Sequence, residues 1–198
     1  MATRRKKETS RPGRLRIVAG NWRSRLLEIA DAPGLRPTSE RIRETLFNWL
    51  SAKVYGAHCL DLFAGTGALG LEALSRGARS AVFVENSASA VQTLRANIAA
   101  LGAEGAVVMQ ADAGNFLGSE HAGPFDIVFL DPPFAAGGVA EWCRLLDDRS
   151  ALARDALVYI EQDRAHSEPE LPASWRVLKN KTAGNVRYML VQPGAQQD

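Results

Sequence analysis

The chain has 198 residues, of which 46% are hydrophobic, so its composition predicts one globular domain with an appendage. No apolar run approaches the about 18 residues of a membrane helix, and the N-terminus lacks the apolar stretch of a signal peptide, so we expect a cytoplasmic protein with no membrane partner. The only cysteines are Cys59 and Cys143, and cysteine and histidine form no cluster with metal spacing; we therefore expect reduced, buried thiols and no metal.

Positive charge is concentrated at the N-terminus. Residues 1–27 contain nine Lys or Arg and one Glu, a net charge of +8, which leaves −6 for the rest of the chain. A basic arm on a mildly acidic body favours a polyanionic partner. Residues 1–13 are predicted to be a disordered basic tail, and for them a solvated tail without specific contacts remains the alternative.

The segment after this tail predicts a basic β-hairpin. Basic and apolar residues alternate from Arg14 to Ala19, Gly20-Asn21 is typical of a turn, and Trp22 to Ile29 provides the return strand. Arginines beside an aromatic ring are typical of RNA-binding surfaces. The candidate RNA-binding residues are Arg14, Arg16, Trp22, Arg23 and Arg25.

A helix is predicted to follow, capped by Thr38 or Ser39 and carrying apolar residues at helical spacing as far as Trp49. Arg36 and Thr38 lie just before it or at its start. The sequence leaves open whether they contact a cofactor or RNA, and the role of Arg41 is equally open.

A glycine-rich loop joins the next strand and helix. The apolar strand Cys59 to Phe63 leads directly into Gly65, Gly67 and Gly70, a G-x-G-x-x-G pattern that opens an Ala/Leu-rich helix ending near Arg76. Glycine in this position lets the backbone approach a ligand closely.

Acidic residues recur where successive strands end. Asp61 lies in the first strand, Glu85 ends the strand Ala81 to Val84, and Asp112 follows the strand Val107 to Gln110. The carboxylate of Glu85 suits a ribose diol, because it can accept hydrogen bonds from two hydroxyl groups. An ordinary turn or cap role is the alternative for each of them.

The segment from Asp126 to Phe134 combines a buried strand with a stiff turn. Neither Pro132 nor Pro133 can donate to a ladder, so the strand ends at Asp131. The Asp131 carboxylate and the Pro132 carbonyl can accept hydrogen bonds from an amine, and Phe134 can stack on a planar ring. The alternatives are an ordinary proline turn and a core position for Phe134.

The remaining pattern predicts an α/β fold. Further elements are expected at 88–101, 139–146, 157–161, 175–181 and 186–192, the last two as a terminal hairpin. Alternating strands and helices favour a doubly wound, Rossmann-like sheet, mostly parallel with one antiparallel strand, preceded by the basic β-hairpin.

The carboxylate of Asp61 narrows the choice of nucleotide. A dinucleotide needs its pyrophosphate at the helix N-terminus, where an adjacent carboxylate is unfavourable. The sulfonium and ammonium of S-adenosylmethionine are favoured there instead. Asp61, Glu85 and Asp112 then suit its methionine part, ribose and adenine in turn.

Three sets of residues resemble a known family. Asp61–Gly70 looks like the first motif of class I methyltransferases, and Asp131–Phe134 looks like the fourth motif of amino-methyltransferases. The leader segments Arg16–Arg23, Gly34–Thr38 and Arg41–Leu50, taken with both motifs, resemble the bacterial 16S ribosomal RNA guanine-N2 methyltransferases of the RsmD family.

The resemblance spans Arg14 to Val191 and implies a methyltransferase domain over residues 51–193, with residues 14–50 as an RNA-binding extension. It implies S-adenosylmethionine as cofactor. The implied substrate is the N2 amine of a guanine in 16S ribosomal RNA of the small ribosomal subunit or its assembly intermediate, and we expect a monomer. The candidate catalytic residues are Asp131, Pro132 and Phe134. The candidate cofactor-binding residues are Asp61, Phe63, Gly65, Gly67, Glu85, Asp112 and Ala113.

Three other functions compete with this one. A DNA adenine-N6 or cytosine-N4 amino-methyltransferase shares the fourth motif, but 198 residues leave little room for a target-recognition domain. A nicotinamide-dependent oxidoreductase leaves the Asp-Pro-Pro-Phe turn and Asp61 unexplained. A non-catalytic RNA-binding protein does not need the intact cofactor and amine motifs.

Overall fold

A computed structural model describes residues 13–29, 38–119, 123–133, 138–149 and 151–194. Three predictions fall outside the described residues: the disordered tail as far as residue 12, the role of Arg36, and the stacking role of Phe134.

An antiparallel hairpin lies near the N-terminus, as the alternation of basic and apolar residues predicts. Its strands are β1, Arg14–Arg16, and β2, Leu26–Glu28. Both are shorter than predicted, because the chain after β1 pairs elsewhere. The N–H groups of Val18 and Ala19 donate to the carboxylate of Glu72, at 2.8 and 3.0 Å, and not to a facing strand.

Helix α1, Glu40–Trp49, begins at Ser39, whose hydroxyl accepts a hydrogen bond from the N–H of Ile42 at 3.3 Å. This bond satisfies one of the free donors at a helix start. The helix buries Ile42, Leu46 and Phe47, which recur at the predicted spacing.

A seven-stranded sheet forms the centre of the molecule. Its strands are β3 (His58–Asp61), β4 (Ser80–Glu85), β5 (Ala106–Gln110), β6 (Phe125–Leu130), β7 (Leu152–Asp163), β8 (Arg176–Ala183) and β9 (Val186–Gln192). Their order is β5-β4-β3-β6-β7-β9-β8. β9 runs antiparallel to both β7 and β8, and the other six described strands of the sheet share one direction, so the predicted sheet with one antiparallel strand is confirmed.

Four more helices connect the strands: α2 (Ala68–Ser75), α3 (Ala88–Leu101), α4 (Ala113–Leu117) and α5 (Val139–Asp148). The hairpin, α1, α2 and α3 pack on one face of the sheet, and α4 and α5 pack on the other. The sequence did not predict α4, because five residues are too few to display a helical period. Cys59 and Cys143 are buried and unpaired, and burial raises the pKa of each thiol to about 12.

Among the described residues, no helix has both the length and the apolar character to cross a membrane.

Candidate active site

Asp61, at the end of β3, is bound to the start of α2. Its side chain is 3% exposed, and its Oδ2 accepts a hydrogen bond from the Gly70 N–H at 2.9 Å. The helix N-cap is Gly67, which has no side chain, so Asp61 provides a cap from the neighbouring strand. Burial raises the pKa of Asp61 to about 7; the Gly70 hydrogen bond opposes the rise, and the charge of Glu85 adds to it.

Glycine is required at the three positions of the loop for different structural reasons. Gly65 and Gly67 have φ angles of 51° and 82°, in the left-handed region that side chains disfavour. Gly70 is required by packing, because a Cβ there would lie 2.2 Å from a ring carbon of Phe83 on β4. The pattern thus shapes the loop and brings α2 close to the sheet, as the sequence context predicts.

Glu85, at the end of β4, holds the same loop from the other side. Its Oε2 accepts a hydrogen bond from Gly65 N–H at 2.8 Å, and its Oε1 accepts one from Ser87 N–H at 2.7 Å. The side chain remains half-buried, and a carboxylate oxygen accepts more than one hydrogen bond. Glu85 therefore reaches the loop and still has capacity for a ligand hydroxyl.

Asp112 follows β5 and caps α4. Its Oδ1 accepts hydrogen bonds from the N–H groups of Gly114 and Asn115, at 2.9 and 3.2 Å, while the residue stays exposed. Ala113 is buried beneath it, and Phe63 packs edge to face against a tryptophan of α5, with 5.2 Å between the ring centroids. The contacts of these three residues with a cofactor stay predictions.

Asp131 follows β6 at the same edge of the sheet. Leu130 pairs in register with Ile160 of β7, so Asp131 lies beside Glu161 on the neighbouring parallel strand. Asp131 and Pro132 are half-buried at this edge. The structure therefore brings Asp131 and Pro132 of the predicted amine-binding motif and the glycine loop to the carboxyl ends of adjacent strands, where open α/β sheets bind ligands.

Thr38, just before α1, is buried, with 5% of its surface exposed. Its side chain affects the pKa of two neighbouring carboxyl groups, those of Asp131 and Glu161. Burial raises the pKa of Asp131 well above its usual value, Glu161 and Asp61 raise it further, and Thr38 lowers it. Burial also raises the pKa of Glu161, while Tyr159 and Thr38 oppose the rise.

Two residues near Asp131 were not predicted from the sequence, Glu161 and Tyr159, and Thr38 was left without a role. The hydroxyl of Tyr159 donates to Glu161 Oε2 at 2.7 Å, and Tyr159 is fully buried. One sequence signal was available: Glu161 ends an apolar strand, as Asp61 and Glu85 do.

A cleft of about 690 Å³ opens beside Pro132 and Glu161. Pro132 and Pro133 form one wall, and the start of α5 and the chain after β7 form the others. The cleft is acidic, because Glu161, Asp163 and Glu168 line it and none of its described lining residues is Lys or Arg. Carboxylate groups accept hydrogen bonds from the amine groups of a base, whereas they repel a phosphate. The cleft therefore suits a base better than a phosphate.

The basic hairpin is joined to this site by a buried ion pair. Arg43 of α1 contacts Glu72 of α2, with 3.4 Å between Nη1 and Oε2. The same guanidinium donates to the carbonyl of Arg16 at 2.7 Å and, through Nε, to the carbonyl of Thr38 at 3.3 Å. The Arg43 side chain thus contacts both β1 and the backbone of Thr38, just before α1.

The five candidate RNA-binding side chains differ in their surroundings. Trp22 is half-buried and packs against the core. Arg25 is exposed, but its Nη2 donates to the carbonyl of Ala100 near the end of α3 at 2.8 Å. The other three arginines are exposed: Arg14, Arg16 and Arg23.

Comparison with known proteins gives consistent matches over almost the whole chain. The family model described as conserved hypothetical protein 95 matches residues 15–192. The ribosomal RNA small subunit methyltransferase D of Escherichia coli strain K12 is 46% identical over 192 residues, which cover 97% of this chain and 96% of that protein. The protein of the same name from Haemophilus influenzae is 41% identical, covering 91% of this chain and 94% of that protein.

Solved structures agree with the fold. The Escherichia coli protein yhhF has a TM-score of 0.84 at 45% identity and covers 93% of this chain and 100% of its own. The Thermus thermophilus 16S rRNA N2 G1207 methyltransferase RsmC, in complex with AdoMet and guanosine, has a TM-score of 0.64 at 22% identity, covering 94% of this chain and 50% of that chain, and shares the fold. The chain therefore belongs to the conserved hypothetical protein 95 family, the family of the ribosomal RNA small subunit methyltransferase D proteins.

Proposed function

We propose that this protein transfers a methyl group from S-adenosylmethionine to the exocyclic N2 amine of a guanine in 16S ribosomal RNA. The observation that carries the proposal is the position of Asp131 and Pro132, which directly follow β6, beside the strand that leads into the glycine loop. An amine acceptor site and a nucleotide loop on adjacent strands can bring two reactants together in line.

The donor groups at this edge fit S-adenosylmethionine better than a dinucleotide. The Gly70 N–H at the start of α2, where a pyrophosphate would bind, already donates to Asp61. Asp61 would attract the ligand's ammonium, Glu85 its ribose hydroxyls, and Asp112 its adenine amine. Phe63 and Ala113 would flank the adenine. When bound, S-adenosylmethionine supplies an activated methyl group on a sulfonium.

Asp131 and Pro132 act on the acceptor amine. An aromatic exocyclic amine is a weak nucleophile, because its lone pair is delocalised into the ring. The Asp131 carboxylate and the Pro132 carbonyl would accept its two N–H groups, turn the lone pair out of the ring plane and stabilise the positive charge that develops on nitrogen. The methylated nitrogen then loses one proton, for which Asp131 is the nearest acceptor in this arrangement.

The RNA substrate is supported by charge and by the relatives. Arg14, Arg16 and Arg23 present three exposed guanidinium groups on the hairpin, which suits a phosphate backbone. The similar proteins from Escherichia coli and Haemophilus influenzae carry the name ribosomal RNA small subunit methyltransferase D. The fourth motif supports an exocyclic amine as the acceptor, and the resemblance of the leader segments and both motifs to the guanine-N2 methyltransferases supports N2 of guanine. That the protein acts as a monomer without a metal ion stays a prediction.

The test is a radiolabelled methyl-transfer assay on small ribosomal subunits and on naked 16S RNA, both from cells that lack this protein, followed by nucleoside analysis. We expect the label in N2-methylguanosine. Label in another nucleoside would contradict the N2 assignment, and label in duplex DNA but in neither RNA substrate would favour a DNA amino-methyltransferase. Comparing subunits with naked RNA shows which of them the enzyme accepts.

A further inference from the structure

The C-terminal hairpin of β8 and β9 is a second concentration of positive charge. Residues 171–192 have a net charge of +4 and include no acidic residue, whereas the rest of the chain after residue 27 has a net charge of −10. The basic residues of this hairpin are Arg176, Lys179, Lys181 and Arg187. Because a surface that only needs to be soluble usually mixes both signs of charge, this separation of charge calls for another reason.

Two of these side chains lie on the face of the sheet that carries α1. In the antiparallel register, Lys181 pairs with Tyr188 and Lys179 pairs with Leu190. Directly opposite residues of two strands share a face, and Tyr188 and Leu190 belong to the core beneath α1 and the basic hairpin of β1 and β2. Both lysines are therefore on that face, with about 7 Å between their positions along the strand.

Arg176 lies on the same face because of a bulge. In an unbroken strand, residues three positions apart point to opposite faces. Here the register shifts between Val177 and Lys179, and Arg176 pairs with Gln192, which lies two residues after Leu190 and so shares its face. Three basic side chains thus follow one another along one face of β8, and we call this row the β8 surface.

The edge position of β8 leaves the β8 surface open to a partner. β8 is the last strand of the sheet as the structure describes it, so one side of its ladder has no neighbouring strand there. Lys179 and Lys181 are exposed, and neither forms an ion pair with any described residue. Arg176 is also exposed and donates to the neutral side-chain oxygen of Gln192 at 2.8 Å, which leaves its charge uncompensated.

An aromatic pair holds Lys181 in place. The Trp49 ring at the end of α1 stacks on the Tyr188 ring, with 5.4 Å between the ring centroids. The Lys181 ammonium lies over the Trp49 ring, 5.8 Å from its centroid. Such a cation–π contact orients a charge without neutralising it. A basic row beside a half-buried tryptophan is the combination that RNA-binding surfaces use.

The β8 surface is level with the proposed amine site. Asp131 lies beside Glu161 on β7, Glu161 pairs with Tyr188 on β9, and Tyr188 pairs with Lys181 on β8. Lys181 is therefore three strand spacings, or roughly 14 Å, from Asp131 across the sheet.

The basic hairpin of β1 and β2 lies on the same face but on the other side of Asp131. It is bound to α2, which packs on β3 and β4, and these strands precede β6 in the sheet order, whereas β8 follows it. The two basic surfaces thus flank the amine site from opposite sides.

We propose that Arg176, Lys179 and Lys181 form a second surface that binds the phosphate backbone of the substrate RNA, on the side of the amine site opposite the basic hairpin. The inference rests on the proposed function for the identity of this RNA. An RNA that brings a guanine to Asp131 continues from it in both directions, so it can contact both surfaces. Each contact then strengthens the other, because the second forms within a complex that the first already holds together.

Charges on an edge strand also have a protective role, because they prevent the edge from pairing with another sheet. Protection requires neither a single sign of charge nor a single face, whereas both are found on β8. The two roles also differ in their consequences. Loss of protection leads to self-association of the protein, and loss of a phosphate contact lowers the affinity for RNA and its dependence on salt.

The first experiment compares two double variants of the full chain, each of which removes two positive charges. Lys179→Gln with Lys181→Gln changes the β8 surface. Arg79→Gln with Arg149→Gln is the matched control, because both arginines are exposed, one at the amino end of β4 and one at the end of α5 on the other face of the sheet. Lys179→Arg with Lys181→Arg keeps both charges.

The measurement is filter binding to small ribosomal subunits and to naked 16S RNA at several salt concentrations. The glutamine variant of the lysines should bind more weakly, with a slope of log K against log salt that is shallower by roughly 1.5, the effect of two lost phosphate contacts. The control and the arginine variant should keep the wild-type slope. Equal slopes in the two glutamine variants would overturn the proposal, as would self-association of the lysine variant with unchanged RNA affinity.

The second experiment identifies the chemical class of the partner. Cys59 and Cys143 are buried, and burial raises the pKa of each thiol to about 12, so a thiol-reactive photo-cross-linker should attach selectively to the exposed thiol of Lys179→Cys. Arg79→Cys is the control. On small ribosomal subunits, the cross-links from position 179 should be in 16S RNA. Cross-links to ribosomal proteins alone would overturn RNA as the partner, and cross-links no more frequent than those of the control would overturn the surface.

Neither experiment requires methyl transfer. If the wild-type protein methylates no guanine but cross-links to 16S RNA through position 179, the proposed function fails and the β8 surface stands. If it methylates a guanine while the lysine variant keeps the wild-type slope, the β8 surface fails and the proposed function stands.

Discussion

Arg43 and Glu72 form a buried ion pair in which the side chains are 1% and 0% exposed. Glu72 also accepts hydrogen bonds from the backbone of Val18 and Ala19 and from the Arg76 side chain. Because these partners use both of its oxygens, its charge is compensated by donors on the hairpin and two helices. The pair therefore joins the basic hairpin to α1 and α2.

Glu72→Gln should destabilise the protein and loosen the hairpin. Breaking a buried pair leaves Arg43 as an uncompensated charge, which typically costs about 3 kcal/mol or more. Urea unfolding measures this loss, and limited digestion with trypsin should show faster cleavage within residues 14–25. Exposed Glu104→Gln is the control and should change stability by less than about 0.5 kcal/mol. Equal stability of the two variants would show that the pair is not what holds the hairpin.

Asp61 makes stability depend on pH. Its pKa of about 7 in the folded protein lies above the unfolded value, so between about pH 4 and pH 7 the folded state binds more protons. Stability from this group is therefore present at low pH and is lost as pH rises toward 7, with a slope of at most about 1.4 kcal/mol per pH unit. Asp61→Asn, which keeps an acceptor for the Gly70 N–H, should lack this contribution.

The measurement for Asp61 is urea unfolding of both proteins between pH 5 and pH 8 without ligand. The wild type should lose stability relative to Asp61→Asn across this range, and other groups cancel in the difference. Parallel curves would mean that the Asp61 carboxyl group is ionised throughout.

Local patterns were enough to predict most of the fold. The apolar strands, the cap at Ser39 and the G-x-G-x-x-G loop each depend on residues that are close in sequence, so they could be located without a structure. The predicted ends of β1 and β2 were wrong because α2, 53 or 54 residues away in sequence, accepts the backbone hydrogen bonds: Glu72 accepts those of Val18 and Ala19, and the Ser75 hydroxyl accepts that of Trp22.

The site shows the same difference between features set by residues close in sequence and features set by residues far apart. Asp61, Glu85 and Asp131 were predicted as site residues because each stands at the end of a strand in its own motif. Glu161 was missed as a neighbour of Asp131 because only the register of β6 on β7 brings the two residues side by side. In the sequence, Glu72 looks like an exposed charge on an Ala/Leu-rich helix.

The hairpin arginines should act through RNA phosphates. The triple variant Arg14→Ala, Arg16→Ala, Arg23→Ala should weaken binding to 16S RNA and flatten its salt dependence, because each lost phosphate contact removes about one unit from the slope of log K against log salt. Arg154→Ala, exposed at the start of β7, is the control. A triple variant with an unchanged slope would show that RNA binds elsewhere.

Arg25→Ala should differ from that triple variant. Since its Nη2 already donates to the carbonyl of Ala100, its removal should reduce stability more than it reduces the salt slope. Suppose instead that Arg25→Ala changed the slope of log K against log salt by about one unit, as the loss of one phosphate contact does. That result would show that Arg25 leaves the Ala100 carbonyl to bind a phosphate. Urea unfolding and filter binding at several salt concentrations separate the two effects.

Asp131→Asn should separate cofactor binding from turnover. The amide is nearly isosteric, so the fold and the affinity for S-adenosylmethionine should change little, whereas the carboxylate that stabilises the positive nitrogen is lost. We expect kcat to fall by about 10²-fold or more, in line with the removal of one preorganised electrostatic group. Exposed Asp155→Asn is the matched control. Calorimetric titration with S-adenosylmethionine and single-turnover methylation are the two measurements. Normal turnover in Asp131→Asn would remove Asp131 from the mechanism, and lost cofactor affinity would instead place it in the S-adenosylmethionine site.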